Sequence, residues 1–115
     1  MIDAPSNQGI SFSSKTGVVY FGHPGAADGD RANYTIHRSL DSGYTWDYVG
    51  VIYPKGAGYS DVHVLPSDGP GDRLGVAFQR TLYDPNVEGG GYNMAWASMT
   101  IPDPRRERLV APLQD

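Results

Sequence analysis

The chain has 115 residues, enough for one domain of ordinary size, with a formal net charge of −4 and no cysteine. That balance argues against a nucleic-acid partner, and the missing thiols exclude a disulfide framework and a thiolate metal site. Apolar residues make up 39%, with 15 Gly, 9 Pro and 8 Tyr, a profile of short strands joined by tight turns. No apolar run approaches the roughly 18 residues of a membrane helix, so no membrane span is expected. Met1–Pro5 lacks the basic and apolar regions of a signal peptide.

In chain order, residues 3–8 read as a polar opening. Gly9–Ser13 alternates apolar and polar as a short strand, 14–17 as a turn, and Val18–Gly22 (VVYFG) as a strong β-run. His23-Pro24-Gly25 is predicted to break that run, and residues 26–32 to form a loop rich in Gly and Asp. Asn33–Leu40 alternates cleanly as a strand. A turn follows, and Trp46–Tyr53 returns.

Residues 54–58, with one proline and two glycines, are predicted to loop. Ser60–Leu65 (SDVHVL) is the next strand, PSDGPGD at 66–72 a turn, and Arg73–Arg80 a strand buried on Leu74, Val76 and Phe78. A long loop over 81–91 precedes the last strand, Tyr92–Ile101. Residues 102–115 turn charged and proline-bearing and read as a tail. No segment sustains a 3.6-residue period. Seven evenly spaced strands predict an all-β sandwich, barrel or propeller, grouped as one four-stranded antiparallel meander and three strands of a second.

The turn Ser39-Leu40-Asp41-Ser42-Gly43-Tyr44-Thr45-Trp46 has the form S-x-D-x-G-x-T-W, known as an Asp-box. Ser39 and Thr45 supply short hydroxyls for nearby backbone, Asp41 can accept N–H bonds inside the turn, and Gly43 can take positive φ. Trp46 brings a large surface to bury. Asp41 is a turn residue in this frame, not a catalytic acid. Gly58-Tyr59-Ser60-Asp61 follows, with Tyr59 thirteen residues after Trp46 and 28 after Arg31.

Arg31, the Asp-box and the Gly-Tyr-Ser, in that order, resemble the C-terminal part of the exo-α-sialidases (neuraminidases). Asn7-Gln8-Gly9-Ile10-Ser11 is similar to the strand that precedes the arginine loop in that family. The resemblance covers about residues 6–99. It implies about two antiparallel four-stranded blades of a six-bladed β-propeller over residues 1–101, with the remaining blades as partners. It further implies a retaining glycoside hydrolase acting on sialylated glycoconjugates, without a cofactor, in a secreted, cell-surface or lysosomal setting.

In that resemblance Tyr59 matches the nucleophile and Arg31 one arginine of a triad that holds the substrate carboxylate. Gln8 and Gln79 fall at substrate-side positions. A tyrosine suits a sugar bearing a carboxylate on its anomeric carbon, because a carboxylate nucleophile would approach against like charge; tyrosine nucleophiles are established for sialidases. Arginine matches a carboxylate with two parallel bonds.

The chain departs from the pattern. No arginine-isoleucine-proline motif, acid/base aspartate or activating glutamate is recognisable, and Gln79 stands where a glutamate is usual. The expectation is therefore a sialidase fragment, inactive without upstream blades. The alternative is a non-catalytic Asp-box module that binds carbohydrate or protein.

Other features read as structural. Asp28-Gly29-Asp30 lacks the further ligands of a calcium loop. His23, His37 and His63 are not at metal-ligand spacing, so no metal is expected. Asn33-Tyr34-Thr35 is a glycosylation sequon, meaningful only in a secreted eukaryotic protein. Gly89-Gly90-Gly91 precedes no helix and is no phosphate loop.

Overall fold

Alternating side chains build six strands in the computed structural model, which describes residues 9–25, 32–82 and 91–104. They are β1 (Gly9–Phe12), β2 (Val19–Pro24), β3 (Ala32–Ser39), β4 (Asp47–Leu65), β5 (Asp72–Leu82) and β6 (Gly91–Ile101). Each pairs antiparallel with the next, in the order β1-β2-β3-β4-β5-β6, as one curled, half-barrel sheet. All six of these elements are strands.

Six strands stand where seven are predicted, because 46–53 and 60–65 belong to one element. Residues 54–58, expected to loop, continue β4. The register explains how: Tyr34 faces Tyr53 and Ala32 faces Gly56, so Pro54 and Lys55 together oppose Asn33. A bulge of this kind tolerates a proline, which has no N–H for the ladder. Asn33 meets it with a φ of 57°, which asparagine accepts more readily than most residues.

The predicted break at His23-Pro24 is also absent. Pro24 pairs with Tyr34 as the last residue of β2, and the next donor, Gly25 N–H, reaches Asn33 O at 2.8 Å. Trp46 belongs to the turn rather than to the returning strand, which starts at Asp47. Residues 105–115 of the expected tail lie outside the described residues.

The chain changes ladders inside β4. Residues up to Gly56 pair with β3, and residues from Ala57 pair with β5. The second half then lies back against β1: Val64 N–H donates to Ser11 Oγ at 3.1 Å. Gly9 and Gly22, opposite each other across β1 and β2, admit this approach. A Cβ on Gly9 would stand 2.5 Å from Val62 N, and one on Gly22 would stand 2.7 Å from Val62 Cγ2.

The core fills the space between the two halves. Val18, Tyr20, Tyr34 and Ile36 come from the first half, and Val62, Leu74, Val76, Phe78 and Ile101 from the second. Tyr34 stacks on Phe78 at 5.3 Å between ring centroids. Each fully buried aliphatic or aromatic side chain contributes about 1.5–3 kcal/mol.

A buried carboxylate pins one end. Asp72, 1% exposed, accepts hydrogen bonds from Ser13 Oγ, Thr16 Oγ1 and Tyr20 OH, each at 2.6 Å. Burial alone would raise its pKa; the three hydroxyls outweigh that and hold it below the usual carboxylate value. Tyr20 is pushed upward, by burial first and then by Asp72. Lys15 Nζ ties the same turn to Ser67 Oγ at 2.8 Å and to Gly69 O at 2.7 Å.

Candidate functional site

The Asp-box turn is closed by its own short side chains. Ser39 Oγ accepts from Gly43 N–H at 2.8 Å and donates to Asp41 Oδ1 at 2.8 Å. Asp41 Oδ1 accepts from Thr45 N–H at 2.8 Å, and Oδ2 from the Thr45 hydroxyl at 2.5 Å. Gly43 has a φ of 95° and Ser42 of 63°. Trp46 Nε1 donates to Gly43 O at 3.1 Å, and its ring lies 5.8 Å from Phe21. The Thr45 hydroxyl, then the Thr45 amide and the Ser39 hydroxyl, bring Asp41 down to a pKa of about 2. Both carboxylate oxygens of Asp41 thus accept hydrogen bonds from within the turn.

Tyr59 sits at the opposite end of the strands. Ala57 faces Arg80 and Ser60 faces Phe78, so Gly58 and Tyr59 occupy a bulge where β4 enters the second ladder. Bulges re-aim side chains. Tyr59 is 50% exposed, whereas Tyr20 and Tyr34 are fully buried; burial pushes the Tyr34 hydroxyl up to about 12. Of these three phenols, Tyr59 alone is open to solvent.

Gln79 lies beside this bulge. A Cβ on Gly58 would stand 2.4 Å from Gln79 Oε1, so the amide of Gln79 rests on the glycine preceding Tyr59. Ala32, the neighbour of Arg31 in the chain, pairs with Gly56. β3 then runs eight residues to Ser39, roughly 25 Å at the usual strand rise. The Asp-box and Tyr59 are therefore at different ends. Arg31 and Gln8 themselves lie outside the described residues, as do Asp28 and Asp30.

Arg80, which sequence reading passes over, stands at the Tyr59 end across from Ala57. Its Nε donates to Asn93 Oδ1 at 3.1 Å, and its guanidinium lies 5.8 Å from the Tyr53 ring centroid. Nothing in the sequence distinguishes it from a solvated strand arginine. Asp61 and His63 form an exposed pair at 2.8 Å further along β4. No group of three or more metal-ligating side chains exists among the described residues. A hollow of about 300 Å³ lined by Phe12, Lys15, Leu65 and Ser67 lies at the Asp72 end and holds none of the candidate chemistry.

Neither models of known protein families nor the curated proteins give a match to this chain.

Proposed function

We propose that the chain is a segment of a sialidase-type β-propeller, with Tyr59 as the nucleophile of a retaining hydrolysis and Arg31 pairing with the substrate carboxylate. The register at the Tyr59 end carries this reading. A half-exposed tyrosine occupies a bulge, Gln79 lies against its neighbour Gly58, and the residue after Arg31 pairs with Gly56. The Asp-box, whose carboxylate is consumed by its own turn, is remote from that end.

Two further features fit blades of a propeller. Four strands in sequence order are followed by a shift of β4 into a second ladder, whose first strand then lies against β1. The outer faces carry exposed apolar groups, Ile10, Phe12 and Tyr48 on one and Met94 and Trp96 on the other. Neighbouring blades would cover such faces.

The chemistry follows from the residues. A neutral tyrosine hydroxyl is a weak nucleophile. It requires a base, which on this reading comes from blades upstream. The isolated chain is therefore expected not to cleave a fluorogenic sialoside. In a complete propeller containing this segment, Tyr59→Phe should abolish turnover while sialic acid analogues still bind. Near-normal turnover of that variant removes Tyr59 from the mechanism.

A second reading, a non-catalytic Asp-box module, draws on Gln79. Its amide is uncharged where a bracing carboxylate is usual in sialidases. Undiminished sialoside binding with no turnover in the complete propeller would favour that reading.

A further inference from the structure

β6 forms a long open edge of the sheet. Among the described residues it pairs only with β5, along all 11 of its positions. Its backbone N–H and C=O groups that point away from β5 therefore meet no described strand. The opposite edge is short and lies against the sheet itself: β1 has four residues, and its Gly9 and Ser11 abut Val62 and Val64 of β4.

Natural edge strands carry charges, prolines or bulges that deter pairing with another chain. β6, GYNMAWASMTI, has neither a charged residue nor a proline. Its register with β5 runs from end to end without a shift.

The packing on both faces also stops short at this edge. Residues directly opposite each other on paired strands share a face. Phe78, Val76 and Leu74 of β5 are at most 3% exposed, whereas the residues opposite them, Ala95, Ala97 and Met99, are only partly buried. The apolar layer thus ends on a half-covered row. On the other face Trp96 leans inward over β5, where a Cβ on Gly75 would run into its ring. Its bulk does not obstruct the open edge.

A strand that completes this edge must be extended, uncharged and apolar at alternate positions. Within the described chain, β2 to β5 are paired on both sides and β1 lies against β4. That leaves β6 itself. We propose that β6 is a homodimerisation edge, pairing antiparallel with β6 of a second copy about a two-fold axis. With the axis perpendicular to the sheet, odd-numbered residues oppose odd-numbered ones. Ala95, Ala97 and Met99 of the two copies then continue one apolar layer. The contact is isologous and uses the same edge in each copy, so it closes at two and does not grow into a fibre. Pairing is edge to edge and leaves the exposed face of Met94 and Trp96 open to a neighbouring blade. The proposal is independent of the roles given to Tyr59 and Arg31.

Sedimentation equilibrium of the full chain over a concentration series tests it. The mass is expected to rise from 12.5 kDa toward twice that value and no further. Hydrogen exchange of the same samples, followed by NMR, should show alternate backbone amides of residues 93–100 gaining protection as the dimer forms, because the others already face β5. Ser98→Glu changes an exposed residue and sets like charges across the pair without touching the buried layer. It should weaken association by about fivefold.

A mass of 12.5 kDa at every concentration overturns the proposal and leaves the edge to a strand of another protein. A doubled mass without new protection in β6 overturns it as well, and would move the contact to another surface, such as that of Ile10, Phe12 and Tyr48. Unchanged association of a folded Ser98→Glu does the same. Should that variant not fold, the wild-type exchange pattern decides the question.

Discussion

Removing the Asp72 carboxylate should be among the most damaging single changes in the chain. Asp72→Ala leaves the hydroxyls of Ser13, Thr16 and Tyr20 without their acceptor, all at 3% exposure or less. A hydrogen bond to a charged group contributes about 1.5–3 kcal/mol. The three share one acceptor and are not additive, so the expected loss is about 3–5 kcal/mol, typical of breaking a buried charged network. A domain of this size has roughly 6–17 kcal/mol of stability in all.

Asp72→Asn keeps the shape and one acceptor oxygen and should lose less. The pH dependence has a definite sign. The folded pKa lies below the ordinary carboxylate value of about 3.9. The contribution is present above that value and is lost as pH falls through the folded pKa. Urea denaturation followed by tyrosine and tryptophan fluorescence measures both effects. An Asp72→Ala midpoint equivalent to a loss within about 0.5 kcal/mol of wild type, the range of neutral surface changes, would refute the pinning role.

Three further outcomes are expected. Gly9→Ala puts a Cβ against the Val62 backbone and should cost about 1–3 kcal/mol in the same denaturation assay; a neutral effect would mean that β1 does not abut β4 there. Asp41→Asn removes the charge that the Thr45 and Ser39 groups stabilise, and hydrogen exchange should show faster opening of the Thr45 amide, with wild-type exchange arguing against the turn geometry. In a complete propeller, Arg31→Lys retains charge but loses the paired donors, and calorimetry should show sialic acid bound about 1–3 kcal/mol more weakly; equal affinity would remove Arg31 from the site.

What sequence reading reaches in this chain is what is local. The 39–46 turn closes through bonds spanning no more than four residues, so residue types at fixed offsets specify it. Strand alternation likewise marks Tyr34 and Ile36, or Leu74, Val76 and Phe78, as core residues. Proline and two glycines at 54–58 carry the chemistry of a loop, yet one bulge opposite Asn33 absorbs Pro54 and a second opposite Gln79 absorbs Gly58, and only the register of the neighbouring strands reveals them.

Asp72 is hidden for a different reason. PSDGPGD reads as a solvated turn, while the hydroxyls that bury its last residue come from 52 to 59 positions away. The hydrogen bond between His23 Nε2 and His37 Nδ1, at 2.9 Å, depends in the same way on register between strands. At the candidate site, Tyr59 and Gln79 lie next to Gly58, and Arg31 and Gln8 fall outside the described residues. The tyrosine's bulge position was not visible, because bulges arise from pairing rather than from composition.

The most direct test of the central claim is covalent trapping. A fluorinated sialoside that halts a retaining sialidase at the glycosyl-enzyme stage should be incubated with a complete propeller carrying this segment, and the labelled peptide mapped by mass spectrometry. The account predicts a single adduct on Tyr59, absent from Tyr59→Phe. An adduct on any other residue, or turnover of sialosides with no adduct on Tyr59, would contradict it.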